Sequence, residues 1–232
     1  MSPQTSSPAV VLVHGAWADG SSWSRVITGL HQTGIPVIAA PIPLTSLADD
    51  VDALDRTIDR TDGPVVVVGH AYAGGVIGAT KHPRVQALVY VAALAPDEGE
   101  TVADVFYRDP SHPDAPELKP DDDGWIWLPV NAFAKAFAQH GTAEEHAVLA
   151  AVQRPIAVQS IQQPVPRPGW KDHPSWYLIA EEDRMINPIT QKFMAERMHA
   201  NVRIHDADHA PLITRPHTVV DIISEAVRNA NA

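Results

Sequence analysis

Apolar residues between Ala9 and Ala92 form two kinds of run. Short continuous runs predict buried strands, and longer runs with apolar positions three and four apart predict amphipathic helices. Ala9–Val13, rich in valine and closed by His14-Gly15, reads as a strand. Ser22–Gln32 carries Trp23, Val26, Ile27 and Leu30 at helical spacing and ends at Gly34. Ile35–Ala39 predicts a second strand, stopped by the Pro-Ile-Pro around Ile42. Ser46 caps a helix whose Leu47, Val51, Leu54 and Ile58 share one face. Asp49, Asp50 and Asp52 fall near its start, where the expectation is interaction with the positive end of the helix dipole. Four valines, Val65–Val68, predict a strand covered on both faces. A small-residue helix, Ala73–Thr80, and a strand, Val85–Ala92, follow.

This alternation breaks at Pro96. From there to Gly169 the chain is rich in proline, acid and aromatics, with short helical pieces expected at Thr101–Tyr107, Asn131–His140 and Ala143–Val152. Alternation returns with a strand at Ser175–Ala180, a helix near Ile189–Met198, a strand at Val202–His205 and a helix near Thr218–Asn229. The expected fold is therefore α/β: one domain with a mostly parallel sheet of about six strands, flanked by helices. Its core spans 8–95 and 170–232, and 96–169 is an inserted helical cap.

Composition narrows the partners. The net charge of -11 and the lack of a basic stripe argue against nucleic acid and against an anionic membrane surface. No cysteine is present, which excludes thiolate chemistry and disulfides. The first eight residues lack the basic start and apolar run of a secretory signal, so a cytoplasmic location is expected. A homodimer is compatible with a small acidic chain, although no residue argues for it.

Chemistry concentrates in four places. Val65-Val-Val-Val-Gly-His-Ala-Tyr-Ala-Gly-Gly75 reads as strand, abrupt turn and helix, with Gly69, Ala73, Gly74 and Gly75 giving room around a strained tip at Ala71. The turn is too short for a phosphate-cradling loop and lacks its lysine. Val11-Leu-Val-His-Gly-Ala-Trp17 is a strand ending in a glycine turn. Tyr177-Leu-Ile-Ala-Glu-Glu-Asp-Arg184 puts an acid directly after a buried strand; Asp183 is the candidate and Glu182 the runner-up. His205-Asp-Ala-Asp-His209 offers His209 as a base. His205 and His209 are also spaced four apart, but a metal pair at that spacing needs a helix and these follow a strand, so no metal is assigned. His31, His82 and His199 are expected at the surface or at helix ends.

Together these pieces resemble the plant methylesterase and hydroxynitrile lyase branch of the α/β-hydrolases and related small bacterial esterases. The matching residues are Val13-His-Gly-Ala16, Gly69-His-Ala-Tyr72 with Gly74, Glu182-Asp-Arg184 with Ile186 and Pro188, and Ala207-Asp-His209. The similarity runs from about Ala9 to the last helix and is weakest in the cap. It implies an apolar pocket between sheet and cap, no cofactor, and ester hydrolysis or related chemistry. It further implies oxyanion donors at the Ala16 and Tyr72 N–H groups, and an Asp183–His209 pair in which the acid orients the imidazole.

Two positions depart from the pattern. Ala73 stands where a glycine is usual, and Ala71 stands where relatives have serine. Either Ala71 replaces a parental serine, or it is native to a branch that forms no covalent intermediate. In the second case His209 could activate water or take a substrate proton. A third possibility, from a different class, is a ligand-binding protein that kept the pocket and lost turnover. The candidate pocket residues are His14, Trp17, His70, Trp125, Trp127, Phe133 and Phe137, around a small, largely apolar substrate bearing a carbonyl.

Overall fold

The valine runs become the centre of the molecule. The computed structural model describes residues 7–230, so most of the stretch read for a secretory signal lies outside the described residues. Its strands are β1 (Ala9–Val13), β2 (Val37–Ala40), β3 (Val65–His70), β4 (Val85–Val91), β5 (Trp125–Ile126), β6 (Ile156–Ala157), β7 (Ser175–Ala180) and β8 (Asn201–His205). Six of them form one sheet in the order β2-β1-β3-β4-β7-β8, every neighbouring pair parallel. Val66–Val68 lie between Val10–Leu12 on one side and Ala87–Val89 on the other. Both faces of this central strand are covered, which is why an unbroken run of β-branched residues is tolerated there.

The strand order reverses at β1. The chain steps outward from β1 to β2 and then returns past β1 to β3. Right-handed crossovers therefore put α1 (Ser24–Gln32) on one face and α2 (Leu47–Ile58) and α3 (Ala73–Ala79) on the other. The closing helix Pro216–Ala230 packs beside α1. A crevice opens at the carboxyl ends of β1 and β3, where such a reversal habitually holds a ligand. The Gly15-Ala16 turn and Ala71 both sit there.

Helix ends follow local chemistry. The Ser46 side chain accepts from the Asp49 N–H at 3.0 Å and starts α2. The helix expected from Ser22 divides into a 3₁₀ turn, Gly20–Trp23, capped by Asp19, and then α1. Residues between β4 and β7 hold α4 (Val102–Phe106) and the helix Ala143–Val152, each begun by a reciprocal capping box, Thr101 with Asp104 and Thr142 with Glu145. The single helix expected over 131–140 is instead a short turn, Val130–Ala132, running into a π turn, Phe133–Phe137. The antiparallel ribbon β5–β6 was not expected, because two-residue strands carry no readable period. No helix among the described residues is long and apolar enough to cross a membrane.

Candidate active site

The turn between β3 and α3 is as sharp as its small residues allow. Ala71 has φ 51°, in the left-handed region, which costs an alanine about 1–2 kcal/mol. The Ala71 carbonyl accepts from Gly74 N–H at 3.1 Å and Leu94 N–H at 2.9 Å, and these bonds hold the conformation. A Cβ on Gly74 would lie 2.1 Å from the Leu94 carbonyl oxygen, so only glycine fits there. A Cβ on Gly15 would lie 3.0 Å from the Ala71 Cβ, which shows how closely the β1 turn approaches the tip. Ala73, at the position where the resembling family usually has glycine, is fully buried.

Asp183 and His209 come together beside this tip from two different loops. Asp183 follows β7, and its Oδ1 accepts the Met185 and Ile186 N–H groups at 2.7 and 2.8 Å. Its Oδ2 accepts from His209 Nδ1 at 2.8 Å and from Gln191 Nε2 at 2.8 Å. The pair is almost wholly buried. An imidazole that donates from Nδ1 presents Nε2 as an acceptor, so the carboxylate selects the tautomer suited to a base. Glu182, the runner-up acid, turns away and pairs with His140 Nε2 at 2.8 Å. Gln191 was absent from the sequence expectations. It lies in the helix Pro188–Arg197 with no motif around it, and its Oε1 also accepts the Ala180 N–H at 3.1 Å.

His70 supports the same pair from behind. Its Nε2 lies 2.7 Å from the His209 carbonyl oxygen and donates to it. Burial, with His209 nearby, holds His70 well below the usual histidine range, so it is neutral. The two rings lie 4.8 Å apart, and Phe137 sits edge-on to both.

An apolar pocket opens in front of Ala71 and His209. Ala16, Trp17 and Tyr72 line it from the turns after β1 and β3; Phe106, Ile126 and Ile156 line it from the segment between β4 and β7. Tyr107, 58% exposed, stands among its lining residues. Trp17 ties the two parts together: its N–H donates to the Arg154 carbonyl at 3.0 Å and its indole N–H to the Ile126 carbonyl at 2.9 Å. Among the described residues, the Ala16 and Tyr72 N–H groups donate to no backbone carbonyl.

Of the seven candidate pocket residues, Trp17 alone is in this lining. His14 is buried under the β1 turn, its Nδ1 beside the Gly15 carbonyl at 3.0 Å, and burial lowers its pKa. His70 packs behind His209 and does not face the cavity. Trp125 and Trp127 flank Ile126, and alternation along an extended chain turns them away when Ile126 faces in; Trp127 is 51% exposed. Phe133 and Phe137 are buried against each other at 5.4 Å, outside the pocket lining. Beside Trp17 and Tyr72, the aromatic lining comes from Phe106 and Tyr107.

Asp50 also departs from expectation. It lies in the first turn of α2 as expected but is fully buried there, and its carboxyl accepts the Tyr72 hydroxyl at 2.6 Å and the Leu44 N–H at 2.6 Å.

The strand order, the left-handed turn after β3 and the His–Asp pair after β7 and β8 define an α/β-hydrolase framework. The chain belongs to the alpha/beta hydrolase family, whose model matches residues 10–222. It is similar to a probable hydrolase of Phoma sp., 26% identical, covering 94% of this chain and 97% of that protein. It is also similar to methylesterase 2 of Arabidopsis thaliana, 22% identical, with 95% and 96% covered. The crystal structure of polyneuridine aldehyde esterase superposes with a TM-score of 0.80 at 18% identity, covering 94% of this chain and 98% of that one.

Proposed function

We propose that this protein is an esterase-type enzyme acting on small, apolar, carbonyl-bearing substrates, with His209 as a general base and no covalent intermediate. The observation that carries this reading is the buried His209–Asp183 hydrogen bond of 2.8 Å beside an apolar pocket whose elbow tip, Ala71, bears only a methyl group. A methyl group cannot attack a carbonyl. His209 Nε2 can instead take a proton from a bound water, while Asp183 stabilises the resulting imidazolium. The Ala16 and Tyr72 N–H groups serve as oxyanion donors; removing one such donor typically costs about 2.7–4 kcal/mol of transition-state stabilisation. The pocket lining favours uncharged substrates, because a charged group there would find no counter-ion. The esterases named among the similar proteins support ester substrates as the class.

The test compares the protein with Ala71→Ser and His209→Ala on p-nitrophenyl acetate and butyrate. The expected result is slow hydrolysis without a burst by the protein itself, at least tenfold weaker in His209→Ala. Ala71→Ser is expected to be faster and to show a burst of p-nitrophenol. Equal activity in His209→Ala would overturn the reading. Tight binding of these esters without turnover would make the protein a ligand-binding module instead.

A further inference from the structure

Asp50 builds a second network that reaches the pocket from behind. Its Oδ2 accepts the Tyr72 hydroxyl and its Oδ1 accepts the Leu44 N–H, both at 2.6 Å. Leu44 has φ 63°, a conformation that leucine holds only where its surroundings impose it. The Leu44 carbonyl in turn accepts from the Ala157 N–H at 2.9 Å and the Ser160 hydroxyl at 3.2 Å. Ile156 and Ile161, beside those two residues, line the pocket. One buried carboxyl thus links the residue after Ala71 to the wall supplied by the inserted segment.

Resting on the reading of the Tyr72 N–H as an oxyanion donor, we propose that Asp50 is a positioning residue. Its two oxygens hold Tyr72 and Leu44 so that the Tyr72 N–H stays aimed into the pocket. The physical need is specific. Tyr72 follows a left-handed alanine, and its own N–H is not held by a backbone carbonyl. The Ala71 carbonyl, at the other end of the same peptide plane, is held by the Gly74 and Leu94 N–H groups, and the Tyr72 side chain on Asp50 adds a further anchor on the Tyr72 side. A displacement of about 1 Å in a group facing the reacting atoms can cost on the order of a hundredfold in rate. Satisfying the Leu44 N–H alone would not require a second contact to Tyr72.

The titratable and charged groups acting on Asp50 are Tyr72 from the elbow, Asp49 from its own helix and Arg154 from the inserted segment. Burial dominates and pushes its carboxyl up to about 6. Its ionisation can therefore be followed under mild conditions.

The experiment is a pH titration of the ¹⁵N-labelled protein from 4.5 to 8, following the backbone amides of Tyr72 and Leu44. Both are expected to move with a common midpoint near 6, and Asp50→Asn should remove that step from both. In Tyr72→Phe the step should persist at Leu44 and vanish at residue 72. A silent residue-72 amide in the parent, or one unchanged in Tyr72→Phe, overturns the proposal. A second arm uses the Ala71→Ser background and p-nitrophenyl acetate. Adding Tyr72→Phe should lower kcat at least fivefold with KM within twofold, at a temperature where both variants are folded. An unchanged kcat overturns the positioning role even if the amides are coupled. An inactive Ala71→Ser protein counts against the proposed function, and the amide titration then decides the Asp50 link alone.

Discussion

Gln191 Nε2 donates to Asp183 Oδ2 at 2.8 Å, on the same oxygen and at the same distance as His209 Nδ1. With the Met185 and Ile186 N–H groups on Oδ1, the carboxylate accepts four hydrogen bonds. A buried carboxylate is tolerated when it is satisfied in this way. Gln191→Leu leaves the carboxylate one donor short and the Ala180 N–H unpaired. Unmade buried hydrogen bonds cost about 1–3 kcal/mol, and a chain of this size shifts by roughly 2–4 °C per kcal/mol. Calorimetry should show a Tm lowered by several degrees, and hydrolysis dependent on His209 should fall with it.

His70 gives a pH signature. Its folded pKa lies well below 6.5 while the unfolded chain keeps the ordinary value. As pH falls below about 6.5, the unfolded state binds a proton that the native state refuses, so stability declines. A His70→Gln variant keeps a donor for the His209 carbonyl but does not titrate. Its urea midpoint should fall less between pH 7 and pH 5 than that of the parent. Parallel declines would show that His70 is not buried and neutral.

Asp50 contributes the opposite sign. A folded pKa raised to about 6 means that the native state holds a proton the unfolded chain has released. Stability attributable to this group is therefore present at low pH and lost as pH rises from about 4 to about 6. A shift of this size corresponds to about 3 kcal/mol. Asp50→Asn removes the dependence, so the stability of the variant relative to the parent should improve as pH rises through this window. A difference independent of pH would contradict the assignment.

Gly74→Ala tests the elbow directly. Its Cβ would meet the Leu94 carbonyl oxygen at 2.1 Å, and that carbonyl belongs to the loop that closes on Ala71. Relieving the clash requires α3 or that loop to move. Overpacking of this kind costs about 1–3 kcal/mol or more, and the expected outcome is a strongly lowered Tm. Gly34→Ala is the control. Nothing lies within 4 Å of its added Cβ, so only its φ of 76° opposes the change.

The amino-acid sequence by itself determined the framework. Valine runs closed by glycine turns define β1 and β3, and four consecutive β-branched residues suit only a strand covered on both faces. The elbow, Asp183 and His209 were legible because each stands at a strand end, where chain order and local residue size constrain it. Tertiary structure alone decided the surroundings. Gln191, His70 and Asp50 act through partners 8, 139 and 22 residues away, and no local period records such pairings. The pocket wall depends on Ile126 rather than its neighbouring tryptophans facing inward, which the two-residue pairing of β5 with β6 settles. Backbone periodicity is a local property and can be read along the chain. Side-chain contact across the fold is set by packing, and the sequence does not show it until the sheet and the segment between β4 and β7 have closed on each other.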